Sequence, residues 1–201
     1  MSRIVFDVGA WDGMSSKQYA DEVPGTKIYA FEPVPKLVQE ILINLKGYDC
    51  VVVPKAVSDY DGKSFFNIRN EGDWGQGSLL NFNDDVDKIW PGSNLKFSEK
   101  LEVGVIKLST FIEQNSIGVI DFLHIDAQGN DLKVLKGLEN KINIVQSGVV
   151  EAAREGKTYY TNQNLKEETV KFLEDNNFKI EKIDNNDGMG NEVNIFFKKM
   201  S

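Results

Sequence analysis

The sequence predicts an α/β fold of three layers: a mainly parallel seven-stranded sheet with an antiparallel last strand and helices on both faces. Three observations predict it. Apolar runs of strand length recur at residues 4–6, 28–31, 50–53, 119–125 and 142–150. Segments of helical character separate them, and such alternation belongs to parallel sheets covered on both sides. The last two runs, 178–183 and 192–198, are joined by a polar, Gly-containing turn and so pair antiparallel.

The first element carries the most information. Residues 4–13 read Ile-Val-Phe-Asp-Val-Gly-Ala-Trp-Asp-Gly. A buried strand ends on Asp7, Gly9 and Gly13 form a turn, and a helix starts near Ser15, with Ser15 or Asp12 at its N-cap. Strand, glycine turn and helix start make the opening of a nucleotide-binding unit, because glycine lets backbone approach a ligand and a helix N-terminus offers free N–H groups. Asp7 stands where a dinucleotide fingerprint has its first glycine, and a carboxylate there repels a pyrophosphate and suits a cationic ligand. Glu32 closes the second run, where an acid accepts ribose hydroxyls.

Pro24 and Gly25 end the first helix. Pro35 opens the second, whose apolar stripe is Leu37, Val38, Ile41, Leu42 and Leu45, and Gly47 ends it. The third run extends through Ala56 and Val57, and residues 64–68 return as a hairpin strand. Residues 70–100 are too long for a plain connection in a compact domain. Trp74, Phe82 and Trp90 sit there among polar residues, which suggests a substrate-side loop that orders when ligands bind; an exposed loop with a satellite core is the other reading. Residues 101–108 read as a strand, 109–114 as a short helix opened by Ser109, 131–138 as a helix after Asp126, and 166–176 as an amphipathic helix with Val170, Phe172 and Leu173 inward.

The chain has 201 residues, expected to form one domain with an insertion at about 70–100. Its net charge of −8 argues against a nucleic-acid partner, which calls for a basic surface. The single cysteine, Cys50, cannot form an internal disulfide, which fits a reducing, cytoplasmic setting. Asp7 interrupts the only early apolar run, so no secretory signal is read, and no apolar stretch has the length of a membrane span. No Cys/His spacing suits zinc, and no metal site is assigned.

The ordered set of residues 5–10 with Gly13, Phe31-Glu32-Pro33, Ala56-Val57-Ser58-Asp59 with Gly62, and 120–126 through Gly129 to Val134-Leu135-Lys136-Gly137 resembles the FkbM family of methyltransferases. The resemblance implies a Rossmann-like class I fold, S-adenosylmethionine as cofactor, and O-methylation of a hydroxyl on a sugar, glycan or other small molecule. It implies that Asp7, Gly9, Ala10 and Gly13 hold the methionine part, that Glu32 holds the ribose, and that Pro33 flanks the adenine opposite Ala56 and Val57. The family's fourth motif, Lys-Ile-Asp-Val-Glu-Gly-x-Glu, reads here from His124 to Asp131, with His124 for the lysine, Gln128 for the first Glu and Asp131 for the second.

Asp126 is the expected base or acceptor-orienting group and a neighbour of the cofactor. His124, two residues earlier, is the second catalytic candidate, beside the blander reading of a hydrogen-bonded core imidazole. Gln128, Glu151, Ser78 and Trp74 are the substrate-side candidates. Arg154 and Lys157 are weaker candidates for an acidic or glycosyl acceptor, and Tyr159-Tyr160 packs either a sugar face or a helix. Two alternatives stay open: a protein of the same fold that binds cofactor with impaired turnover, for which Gln128 is the reason, and a nicotinamide-dependent oxidoreductase, disfavoured by Asp7.

Overall fold

A computed structural model describes residues 2–69, 74–92, 95–186 and 188–200. The elements in order are β1 (Ile4–Val8), α1 (Met14–Glu22), β2 (Lys27–Phe31), α2 (Pro35–Asn44), β3 (Cys50–Val53), β4 (Ala56–Val57), β5 (Gly62–Ile68), α3 (Val86–Ile89), β6 (Glu99–Ile106), α4 (Leu108–Gln114), β7 (Phe122–Ile125), α5 (Asp131–Lys136), β8 (Ser147–Ala153), α6 (Lys166–Asp175), β9 (Phe178–Asn185) and β10 (Glu192–Lys199). Seven strands form one sheet in the order β3-β2-β1-β7-β8-β10-β9. The pairs from β3 to β8 are parallel, and β10 runs antiparallel to both β8 and β9. The predicted α/β class and the antiparallel last strand are what the chain adopts.

The pleat sorts side chains to the two faces. Val5, Ile28 and Ala30 pack with Ala20 of α1 and Ile41 of α2. Phe6, Val8, Tyr29 and Phe31 point to the opposite side and pack with Phe111 and Ile112 of α4 and Leu135 of α5. Leu173 of α6 joins that second core. Leu42, placed in the apolar stripe of α2 by its spacing, is instead about half exposed.

Several boundaries differ from the sequence reading, each for a physical reason. The third run breaks at Pro54 and Lys55, and Ala56–Val57 leaves the main sheet for a second one of order β4-β6-β5. Residues 62–68 do not fold back on the third run; β5 pairs antiparallel with β6 across the 70–100 segment. The run at 101–108 is the middle strand of that small sheet, and Leu108 already belongs to α4, whose N-cap is Lys107. The run at 142–150 splits into a 3-10 turn, Glu139–Ile144, and β8. Ile142 is buried within that 3-10 turn rather than in a strand, a distinction that an apolar run cannot make.

The segment at 70–100 has its own small core. Val86, Leu95, Tyr159 and Tyr160 are buried together, flanked by Leu80, Phe82, Ile89, Trp90 and Phe97. Phe82 stacks on Phe97 at 4.1 Å and on Tyr160 at 5.1 Å, and Trp90 packs on Tyr159 at 5.5 Å. Phe82 and Trp90, expected to face a substrate, therefore build the satellite core. Residues 70–73, 93 and 94 lie outside the described residues.

Candidate active site

The strand order reverses between β1 and β7, and ligand sites of open α/β sheets lie at the carboxyl ends beside such a point. A cavity of about 290 Å³ opens there. Val8 and Gly9 of the first turn, Phe31 to Pro33 after β2, Ala56 and Val57 of β4, and Asp126 to Gln128 after β7 form its walls. Gly75 to Gly77 and Leu79 of the insertion close the remaining side.

The first turn is fixed by two bonds to one acceptor. The backbone N–H groups of Gly9 and Ala10 both donate to the Phe31 carbonyl, at 3.1 Å each. Gly9 has φ +83°, and a Cβ there would lie 1.8 Å from the carbonyl oxygen of Asp126. Only glycine lets the β1 and β7 turns meet. Ala10 is buried in the α1/α2 core, and Gly13 is the left-handed N-cap of α1, against Ile41. Both stand behind the wall. Met14 N–H donates to Asp12, while Ser15 is exposed and makes no cap bond.

Asp7 also stands behind the wall, contrary to the sequence reading. β1 continues through Val8, so Asp7 is inside the strand and shares the face of Val5. Its register partner on β7 is His124. Ser16 Oγ donates to Asp7 Oδ2 at 2.5 Å, and His124 Nδ1 lies 2.7 Å from Asp7 Oδ1. Asp7 is fully buried and locks α1 and β7 to β1. Burial alone would lower the His124 pKa, but the Asp7 charge and hydrogen bond, with Asp126 and Asp131 further off, raise it overall. Tyr19 packs edge-on against the ring at 5.7 Å. His124 thus has the environment of the core imidazole.

Glu32 lies one residue past β2, on the cavity wall. Val34 N–H donates to its Oε1 at 2.8 Å and Trp11 N–H to its Oε2 at 3.2 Å. Burial raises its pKa to about 8, against the pull of those two N–H groups. Each oxygen keeps acceptor capacity for a further donor.

Asp126 follows β7 directly and borders the cavity from the other side. His124, two residues earlier, is not among the residues that border the cavity. Gln128 Nε2 donates to Asp126 Oδ1 at 2.7 Å, and Tyr160 O–H donates to Gln128 Oε1 at 2.6 Å. A glutamate at 128 could not donate to Asp126. Ser78 Oγ donates to the Gln128 carbonyl at 2.7 Å and is itself fully buried, so it ties the insertion to the β7 turn. Trp74 opens the 3-10 turn Trp74–Gln76, and its side chain lies outside the described residues.

Glu151 lies inside β8 rather than at its end, with Ala152 and Ala153 still to follow. Ile125 pairs with Val150, so Asp126 and Glu151 leave the two strands side by side. Glu151 is 2 % exposed. Burial pushes its pKa well above the usual carboxylate range, and the charges of Asp126, Glu192 and Asp131 push the same way. Burial and the Asp126 charge likewise raise Asp131, whose carboxylate accepts the N–H groups of Ala127 at 2.6 Å and Gly129 at 3.0 Å. Asp126, Asp131 and Glu151 form a three-carboxylate group. Asp131 is visible in sequence only as a motif position; the β7–β8 register brings Asp126 beside Glu151, and the bonds to Ala127 and Gly129 hold Asp131 next to Asp126. Arg154 bonds Asn185 at the surface, away from this group.

The Methyltransferase FkbM domain matches residues 7–180. The chain belongs to the FkbM methyltransferase family. The family uses S-adenosylmethionine, which sets the nicotinamide reading aside. No curated protein matches the chain in sequence. Among solved structures it is similar to Aeropyrum pernix fibrillarin bound to S-adenosyl-L-methionine, with TM-score 0.56 and 11% identity over 98% of this chain and 66% of that one. It is similar to the Methanococcus jannaschii fibrillarin pre-rRNA processing protein, with TM-score 0.57 and 15% identity over 98% and 66% of the two chains. Precorrin-6y C5,15-methyltransferase from Geobacter metallireducens gives TM-score 0.51 and 15% identity over 100% and 81%. At these identities the likeness is one of fold, and the chain spans 66% of the length of the two fibrillarins.

The cavity suits the cofactor on its own chemistry. Phe31, Pro33, Ala56 and Val57 give it apolar walls, together with a buried carboxylate, Glu32, that keeps acceptor capacity. Among the described residues, no helix is long and apolar enough to cross a membrane.

Proposed function

We propose that this FkbM-family enzyme transfers a methyl group to a hydroxyl oxygen of a sugar, a glycan or another small molecule. One observation carries the reading: a single cavity has a ribose-type acceptor, Glu32, on one wall and a carboxylate, Asp126, on another. Glu32 holds the ribose hydroxyls. Pro33, Ala56 and Val57 flank the adenine, and the Gly9 turn leaves room for the methionine end. Asp7, Ala10 and Gly13 act from behind, by fixing the turn that forms this wall. The bound cofactor supplies an electrophilic methyl group.

The remaining work falls to the chain's own residues: to position the acceptor, exclude water and receive a proton. Asp126 is the group that orients the acceptor hydroxyl and takes its proton, and Gln128 holds Asp126 in place. His124 acts through Asp7 as a positioning residue. Ser78 ties down the insertion wall rather than touching the acceptor. The net charge of −8 supports a small-molecule or glycan acceptor over a nucleic acid.

The test is a screen of hydroxyl acceptors for S-adenosylhomocysteine release, run on the wild type and on Asp126→Asn. Turnover that Asp126→Asn removes supports the reading. Gln128, in place of the family Glu, favours one second reading, a cofactor-binding protein with impaired turnover. Cofactor binding without methyl transfer to any hydroxyl acceptor supports that alternative.

A further inference from the structure

Asp126 and Asp131 meet beside the cavity, and a third carboxylate, Glu151, reaches the same point from β8. One oxygen from each lies within 4.8 Å of the others. That span is about twice the roughly 2.4 Å metal–oxygen distance of a hard divalent cation. Asp131 and Glu151 are 1 % and 2 % exposed, so water does not screen this charge. Among the described residues, no lysine or arginine forms an ion pair with any of the three.

The second observation is at Glu151 itself. Its Oε1 accepts a hydrogen bond from Asn186 Nδ2. Its Oε2 is buried without a donor. Asp126 is its neighbour, and two carboxylates bond each other only through a shared proton, which a cation at this point would replace. A buried acceptor left unmatched costs about 1–3 kcal/mol, and more when charged. The neighbouring acceptors are otherwise matched: Asp126 Oδ1 by Gln128, and both Asp131 oxygens by backbone N–H groups. The group is therefore held in shape from outside, while Glu151 and Asp126 meet with no donor from another residue at Oε2.

We infer that Asp126, Asp131 and Glu151 bind one small divalent cation of the oxygen-preferring class, such as Mg²⁺, Mn²⁺ or Ca²⁺. Three carboxylates and no nitrogen or sulfur donor select hard cations over zinc or copper. Asp126 belongs both to this group and to the cavity wall, so the cation borders the cavity. Its role there rests on the methyl-transfer reading: the cation ligates the acceptor oxygen and places it. Cation binding itself does not depend on that reading.

The test is titration of the full-length chain with Mn²⁺, read by electron paramagnetic resonance, with Mg²⁺ as competitor. One Mn²⁺ per chain is expected, weakened at least tenfold by Glu151→Gln and by Asp126→Asn and unchanged by Asp61→Asn at a distant surface acid. Thermal midpoints of the same samples rise with Mn²⁺ in the wild type and not in Glu151→Gln, which also establishes that each variant is folded. No bound Mn²⁺ in the wild type at millimolar metal overturns the inference, as does binding that both carboxylate variants leave intact. S-adenosylhomocysteine titrated into the same samples separates the two claims. Binding of it without Mn²⁺ binding overturns the cation site alone; Mn²⁺ binding without it overturns the cofactor reading alone.

Discussion

The two acidic walls of the cavity use the same functional group in opposite ways. On one wall a single carboxylate, Glu32, receives one backbone N–H on each oxygen. On the other, Asp126 lines the cavity and crowds against Asp131 and Glu151 behind it, where one buried oxygen has no donor from another residue. The first is complete as a structure and keeps capacity for hydroxyl donors. The second brings like charges together, and a shared proton or the inferred cation completes it. A carboxylate's role follows from what its neighbours leave unsatisfied, more than from its place at a strand end.

The largest expected effect breaks the second wall. Asp126→Ala should lower turnover by about 10²- to 10⁴-fold while S-adenosylhomocysteine affinity changes by less than about tenfold. Single-turnover assays beside calorimetry measure both; unchanged turnover would remove Asp126 from the chemistry.

Gly9→Ala attacks the contact that joins the walls. Its Cβ would meet the Asp126 carbonyl at a left-handed φ. A loss of at least about 3 kcal/mol of stability is expected in urea unfolding.

The first wall yields a pH signature. Glu32 keeps its proton in the folded chain up to about pH 8, whereas the unfolded chain releases it near 4.5. Between those values the folded state binds the extra proton. The ligand-free protein should therefore lose stability as pH rises through this window, by up to about 1.4 kcal/mol per pH unit, with that contribution fully present below the window. Glu32→Gln should flatten the profile. Ribose hydroxyls donate best to the ionised form, so S-adenosylhomocysteine affinity should rise with pH up to about 8.

The smallest effect sharpens the comparison. Tyr160→Phe removes the donor to Gln128 Oε1 and should cost about 1 kcal/mol of stability, with a modest fall in turnover and no change in cofactor affinity. A fall in affinity would place Gln128 on the cofactor instead.

Much of this was legible in the sequence, for identifiable reasons. Alternating runs gave the layers, and Glu32 and Asp126 each follow a strand directly, so both reach the cavity. The sequence reading sets the strand end one residue early, at Asp7; β1 runs past it to Val8, and the pleat then turns its side chain toward α1. Glu151 falls within its strand for a similar reason: β8 runs two residues past it, to Ala153. The satellite core was illegible in detail because its aromatics come from two distant segments, and only the folded chain stacks Phe82 on Tyr160. The three-carboxylate group depends on strand register, which apolar runs do not specify.

The most direct measurement is calorimetric titration of wild type and Glu32→Ala with S-adenosylmethionine, S-adenosylhomocysteine and NAD. One adenosyl ligand per wild-type chain at micromolar level, roughly −8 kcal/mol, weakened at least tenfold in Glu32→Ala and with no heat from NAD, is the predicted result. Failure of the wild type to bind either adenosyl ligand, or equal binding by Glu32→Ala, would contradict the placement of the cofactor against Glu32.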